Sequence, residues 1–341
     1  MHRLRKTGGA LLRFGIAAGI LTFLLHKIGL AQAFDELRTT IGHWPWIIAA
    51  HMIMLTPLLA TAWRWKLILH HVAMAMSWPR TLAIFFIGQF FNAFMIGATG
   101  GDVLKAFYTA RETRQNRTEA ITSIFIDRIV GLYAIIFIVA GIVLARLPYF
   151  LSNATLRPVA MFILASALVG AAFLLLIVRR NPLDRWPLLR RLSSHRRMGQ
   201  LSHVLDRAYR AFQACHQQPV LFGKLILLSA ANQLLAVLGW ACVGHALGLN
   251  LSAWDYFCYS MLIGFIGTIP ITPGGLGLRE GASVHILAAI GVAPDKAFLL
   301  SFLPYLSSVI WGLPGGIVFL FYPATRRAQG DVPASVPPLS G

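Results

Sequence analysis

Long apolar stretches alternate with short basic ones along the whole chain. Residues 14–30, 45–63, 120–145, 158–178, 221–247 and 297–321 are nearly unbroken hydrophobic runs, each close to the roughly 20 residues a helix needs to cross the hydrocarbon core. They predict about six full spans. Two more apolar stretches do not read as simple spans. In 264–281, GFIGTIPITPGGLGLREG, two prolines and six glycines interrupt the run, and Arg279-Glu280 stands beside the break. In 88–105, GQFFNAFMIGATGGDVLK, Gly100-Gly101 is followed at once by Asp102 and then Lys105. A continuous membrane helix does not tolerate such breakers. Irregular backbone at membrane depth survives only where protein buries it or a wet cavity receives it. Both stretches therefore predict re-entrant, broken-helix hairpins. The expected fold is an all-α polytopic membrane helix bundle of about six full spans and two such hairpins.

The placement of cations sets the sidedness. Arg3, Arg5, Lys6 and Arg13 precede the first run, Trp63-Arg64-Trp65-Lys66 closes the second, and Lys105, Arg111, Arg114 and Arg117 follow the first break. Arg326-Arg327 follows the last run. By the positive-inside rule these lie in the cytoplasm, with both termini. The first hairpin then dips from the cytoplasmic side, and 253–293 enters from outside and returns. Two full spans in place of the second hairpin are the other parity. Hairpins entering from opposite sides are the layout of inverted repeats. Ala31-Gln32-Ala33 resembles a signal-peptide cleavage site, but an uncleaved first span is the preferred reading. Leu30, Phe34, Leu37 and Ile41 share a face of an interfacial helix, and Trp44 and Trp46 sit where an aromatic belt belongs.

Residues 1–322 read as one transmembrane domain. Within it, 179–219 is an arginine-rich cytoplasmic loop. There Met198, Leu201, Leu205, Ala208, Phe212 and Cys215 recur at helical spacing, predicting an amphipathic helix on anionic phospholipid. The tail 323–341 is rich in Pro, Ala and Ser and reads as disordered.

Composition agrees. Hydrophobic residues make up 57%, charged residues only 12%, and the mean hydropathy is +0.67, whereas a soluble domain carries roughly 25% charged residues. The ten-residue alternation of a membrane β-barrel is absent. A net charge of +18 would suit nucleic acid, but its cations cluster at the ends of apolar runs, so no nucleic-acid partner is expected. Cys215, Cys242 and Cys258 form no CxxC, and the eleven histidines form no metal motif. No cofactor or metal is expected.

The candidate chemistry lies at the breaks. Gly100-Gly101 frees the backbone ahead of Asp102 and Lys105. Thr272-Pro273-Gly274-Gly275 forms the tip of the second break, Gly277 allows close approach, and a helix starting near Leu278 carries Arg279 and Glu280 in its first turn. Helix N-termini at both tips offer N–H donors to an anion, and the carboxylates suit a cation. Asp102 and Glu280 could equally cap their own helices. Asp127-Arg128, inside the third span, are adjacent and do not face each other on a helix. Each needs another partner, Arg128 by snorkelling or Asp127 within the bundle, and a structural ion pair would serve as well as a substrate site.

The segments FFIGQFFNAFMIGATGGDVLKAF (85–107), SIFIDRIVGL (123–132) and IPITPGGLGLREG (269–281) resemble the family of the lysylphosphatidylglycerol synthase transmembrane region. This is the flippase-like domain of the multiple peptide resistance factor, also found as stand-alone proteins. Trp63-Arg64-Trp65-Lys66-Leu67 resembles the family's Arg-Trp segment. The resemblance runs over nearly the whole chain. It implies lipid translocation in the bacterial inner membrane, and it carries over Asn92, Gly100, Gly101, Asp102, Asp127, Arg128, Pro273, Gly274, Gly275, Gly277 and Glu280. The chain departs from the family at Ile96-Gly97-Ala98, where proline is common, and at Lys105, where arginine is. It lacks the aminoacyl-transferase domain, so synthesis of the aminoacylated lipid is not expected of it.

The leading expectation is a non-enzymatic flippase for a polar, aminoacylated or glycosylated lipid. With no Walker A motif, ATP-driven transport is unsupported. A proton-coupled transporter of a small solute, using Asp102, Asp127 and Glu280, is an alternative. So is a non-catalytic partner of a lipid-modifying enzyme, and a homo-oligomer is compatible with all of these. A membrane enzyme acting on a lipid-linked phosphate or sugar is the weakest, since no DxD pair is present.

Overall fold

A computed structural model of the chain describes residues 38–94, 100–113, 117–179, 218–267, 269, 272 and 275–322. The expected first span, most of the arginine-rich loop and the tail lie outside them. The described residues form helices only: α1 (Trp44–His71), α2 (Trp78–Phe94), α3 (Gly100–Thr113), α4 (Arg117–Ala145), α5 (Leu147–Ser152), α6 (Leu156–Arg179), α7 (Pro219–Ala246), α8 (Ala253–Gly267), α9 (Leu278–Ala288) and α10 (Pro294–Phe321).

Four of these are long and apolar enough to cross a membrane: Trp44–His71, Glu119–Ala145, Pro219–Ala246 and Pro294–Phe321. The expected six are thus four among the described residues. The first run lies outside them, and α6 is a 24-residue helix whose apolar stretch is described over Leu156–Ala172. The helices also outrun their hydrophobic windows. α1 does not end at Trp63-Arg64-Trp65-Lys66 but continues to His71, with Arg64 and Trp65 buried. Trp44 and Trp46 are exposed at its start, as an aromatic belt requires.

Contacts fix which helix ends lie together. α1 finishes, α2 starts, α3 finishes and α4 starts at one end of the bundle. The last turn of α3 meets the end of α10 there, where Tyr322 Oη donates to Glu112 Oε1 at 3.0 Å. Burial and that carboxylate push the Tyr322 phenol well above its usual range. At the other end, Lys296 Nζ, in the first turn of α10, donates to the Leu247 carbonyl just past α7 at 2.9 Å. Tyr149 on α5 meets Tyr259 on α8 at 2.9 Å. The α2–α3 pair therefore leaves and rejoins the first end, and the α8–α9 pair the second.

Helix α10 carries both pairs. Gly312, Gly315 and Gly316 lie against Phe86 and Phe90 of α2, where a Cβ on Gly315 would collide with the Phe86 carbonyl. Nearer its start, Ser301 bonds Arg279 of α9 and the Ala297 carbonyl accepts from Ser283 at 2.6 Å. Ser301 and Gly312 are separated by roughly 16 Å along the helix. The described parts of the two pairs therefore dock on different stretches of α10.

Candidate functional site

The first break builds a charged cluster from four helices. Gly88 on α2 and Gly101 on α3 let the two backbones touch, since a Cβ on Gly101 would overlap the Gly88 carbonyl. Asn92 closes the hairpin by accepting the Gly101 N–H on Oδ1 at 3.0 Å, so one of the expected free donors is already used. Gly100 starts α3. Asp102 does not cap that helix. It takes a bidentate pair from Arg128 of α4, at 2.9 Å from Nε and 3.0 Å from Nη2. This fork geometry is the strong form of the carboxylate–guanidinium contact. Arg128 therefore binds locally and does not snorkel to the interface. Its side chain is 54% exposed and that of Asp102 14%, on a face of α4 shared with exposed Phe125 and Leu132.

Asp127 faces the bundle instead. Arg64 of α1 donates from Nε to its Oδ1 at 2.8 Å, from Nη2 to its carbonyl at 3.3 Å, and from Nη1 to Ser229 Oγ of α7 at 2.7 Å. Gly131 makes room for the guanidinium, with a Cβ position only 3.1 Å from Nη2. Asp127 and Ser229 each lie ten residues into their helices, and Arg64 seven from the end of its own. The cluster thus sits about 10–15 Å in from the first end. Trp65 donates to Ser123 Oγ at 3.3 Å. Lys105 was expected among the cytoplasmic cations after the first break and as a candidate site residue. It is 5% exposed, with Nζ 4.3 Å from the Trp65 ring centroid and 5.3 Å from that of Phe85. Sequence reasoning named Arg64 and Trp65 only as the close of a span and part of the family's Arg-Trp segment, not as site residues, and did not name Ser229. The available signal was an arginine followed by apolar Leu67-Ile68-Leu69.

The second break is bound up with itself. Gly277, at φ +83°, precedes α9, and its N–H donates to Glu280 Oε2 at 2.6 Å. Glu280 is fully buried and caps its own helix by accepting that N–H, the one arm of a capping box that a glycine N-cap allows. Its other oxygen accepts from Arg279 Nη2 at 3.1 Å and from Ser301 Oγ at 3.4 Å. Arg279 also donates to the Ser301 carbonyl at 3.0 Å, and its guanidinium lies 5.0 Å from the Tyr305 ring. Gly275, at φ +73°, has its Cβ direction only 2.7 Å from the Gly267 carbonyl, so only glycine fits. Thr272 is buried, and its hydroxyl has no partner among the described residues. Pro273 and Gly274 lie outside the described residues. No hydrogen bond or ion pair among the described residues joins the two clusters, and none of their His, Cys, Asp or Glu residues form a metal-binding group.

Charged side chains built into the membrane-depth interior of a polytopic helix bundle mark a candidate functional site. The chain matches the family described as Lysylphosphatidylglycerol synthase TM region over residues 10–317, and it belongs to that family. It is also similar to the UPF0104 membrane protein of Methanothermobacter thermautotrophicus, at 27% identity over 327 residues, 90% of this chain and 91% of that protein. The family's flippase-like domains are non-catalytic, and the chain is one of them.

Proposed function

We propose that the protein moves a polar lipid between the leaflets of a bacterial inner membrane, with both of its own termini cytoplasmic. One observation carries this reading: an ionised pair, Asp102–Arg128, stands on a face of the bundle flanked by exposed apolar side chains. A charged residue at membrane depth costs on the order of 3 kcal/mol even on insertion scales, and a purely structural pair would be turned inward, as Arg64–Asp127 is. An open pair offers a passing headgroup both signs of charge while its acyl tails stay in lipid. The α2–α3 and α8–α9 pairs, attached to opposite ends of the bundle, favour two re-entrant hairpins of inverted sense. Aminoacylated and glycosylated lipids are the fitting substrates, and anionic phospholipid fits the arginine-rich loop. A separate lipid-modifying enzyme is the natural partner, and self-association is compatible with the fold.

The test is reconstitution in vesicles holding a headgroup-labelled lipid, with outer-leaflet label destroyed by a membrane-impermeant reductant. Asp102→Asn is expected to slow translocation at least about tenfold, a rise of roughly 1.4 kcal/mol or more in the barrier, while the protein still inserts. Equal rates for the variant and the wild type would remove Asp102 from the path. The solute-transporter reading gains nothing from Asp127, which is locked by Arg64 and unsuited to a relay. Solute uptake driven by a pH gradient, without lipid movement, would revive it.

A further inference from the structure

Lys105 holds a buried ammonium that has been given no anion. Its Nζ has neither a hydrogen-bond acceptor nor an ion pair among the described residues; it rests only on the Trp65 and Phe85 rings. An ammonium carries three donors, and a desolvated cation–π contact contributes only about 2 kcal/mol, less than burial of an unpaired charge costs. Burial works against its charge, and Asp127 and Asp102 act the other way, but both carboxylates are already taken. Asp127 is held by a buried arginine. Asp102 is held by Arg128, whose side chain is more than half exposed. Three basic groups, Arg64, Lys105 and Arg128, thus share two carboxylates, and none is left for Lys105.

We propose that Arg128 binds the phosphodiester of a membrane lipid, and that Lys105 receives the Asp102 carboxylate which the phosphate displaces. Each of the three basic groups then has an anion of its own. Arg128 exchanges a carboxylate for a phosphate, both of which its fork can engage through two hydrogen bonds. Lys105 lies one helical turn beyond Asp102, on the same side of α3 within a rotamer change. Exposed Val103 and Phe107 of α3, with Phe125 and Leu132 of α4, surround the pair with apolar surface suited to acyl chains. The exchange gives the first break a loaded and an unloaded state without moving a helix. It rests on the translocation reading for the presence of a lipid, but its geometry is independent of that reading.

The experiment is a calorimetric binding cycle on full-length protein in nonionic detergent. The probes are dihexanoylphosphatidylglycerol, dihexanoylphosphatidylcholine, dihexanoylglycerol and inorganic phosphate. Both phospholipids should bind; dihexanoylglycerol should not, and inorganic phosphate should bind at least about tenfold more weakly. Arg128→Gln should weaken phospholipid binding at least about tenfold, with Arg128→Lys intermediate because a point charge lacks the fork. Lys105→Met should weaken it about tenfold in the wild-type background and not at all beside Asp102→Asn, since no carboxylate then needs rehousing. Asp102→Asn alone should bind more tightly, its competitor gone. An equal Lys105→Met penalty in both backgrounds, or wild-type binding by both Arg128 variants, overturns the exchange. Inorganic phosphate binding as tightly as the lipids overturns the lipid as occupant. Wild-type vesicles that move lipid while the cycle shows no coupling would sink the exchange and leave the function standing. A coupled cycle in protein that moves no lipid would do the reverse.

Discussion

Asp127→Leu is expected to lower the stability of the bundle by about 3–5 kcal/mol, because it strands a buried guanidinium. Arg64 spends its donors on the Asp127 carboxylate, the Asp127 carbonyl and Ser229, and its side chain is only 7% exposed, so water cannot replace the lost partner. Three helices lose their common tie at once, since Arg64 is on α1, Asp127 on α4 and Ser229 on α7. The paired change Arg64→Met with Asp127→Leu should recover most of the loss, since two packed apolar side chains avoid the desolvation cost of the ion pair. Unfolding in a graded series of detergent mixtures, read by circular dichroism for the two single variants and the double one, gives the coupling energy directly. A single-variant loss below about 1 kcal/mol would place the pair among contacts worth no more than a surface salt bridge.

The same pair shows where sequence reading stops. The four long helices were legible because their hydrophobic runs approach bilayer thickness, and the two breaks because Pro273, Gly100 and Gly101 have no place inside a span. Arg64 was misread as the cation that ends a span. Hydropathy along one helix cannot distinguish a terminal arginine from one buried by a carboxylate 63 residues away. The argument that Asp127 and Arg128 need separate partners was sound, but the identity of those partners was a tertiary fact. Lys105 was placed with the cytoplasmic cations by its neighbours in sequence, and the Trp65 and Phe85 rings that cover it come from two other helices. Glu280 stands three residues after Gly277, the spacing of a capping box, so its structural role was legible. Its complete burial against Ser301 was not. How far each tip reaches depends on half-helix lengths, which hydropathy leaves loose by several residues at each end.

Gly315→Ala should separate α10 from the first hairpin. A Cβ there would overlap the Phe86 carbonyl of α2, and that obstacle is backbone, not the end of a flexible side chain. Relief requires the two helices to move apart along the stripe formed with Gly312 and Gly316, where small residues permit close approach in a membrane. Overpacking of this kind costs about 1–3 kcal/mol, more where two helix backbones must shift together. The consequence reaches beyond stability, because α10 positions both breaks. Moving its lower half displaces α2, and with it the Gly88–Gly101 contact that presents Asp102 to Arg128. Translocation should therefore fall further than the thermal midpoint alone predicts. Gly141→Ala is the matched control. It lies inside α4 with nothing within 4 Å of the added methyl, and should stabilise the helix by roughly 0.5–1 kcal/mol through reduced backbone entropy in the unfolded chain. Thermal unfolding and lipid movement measured side by side decide the point: if the two alanine variants behave alike, α10 does not clamp the hairpin.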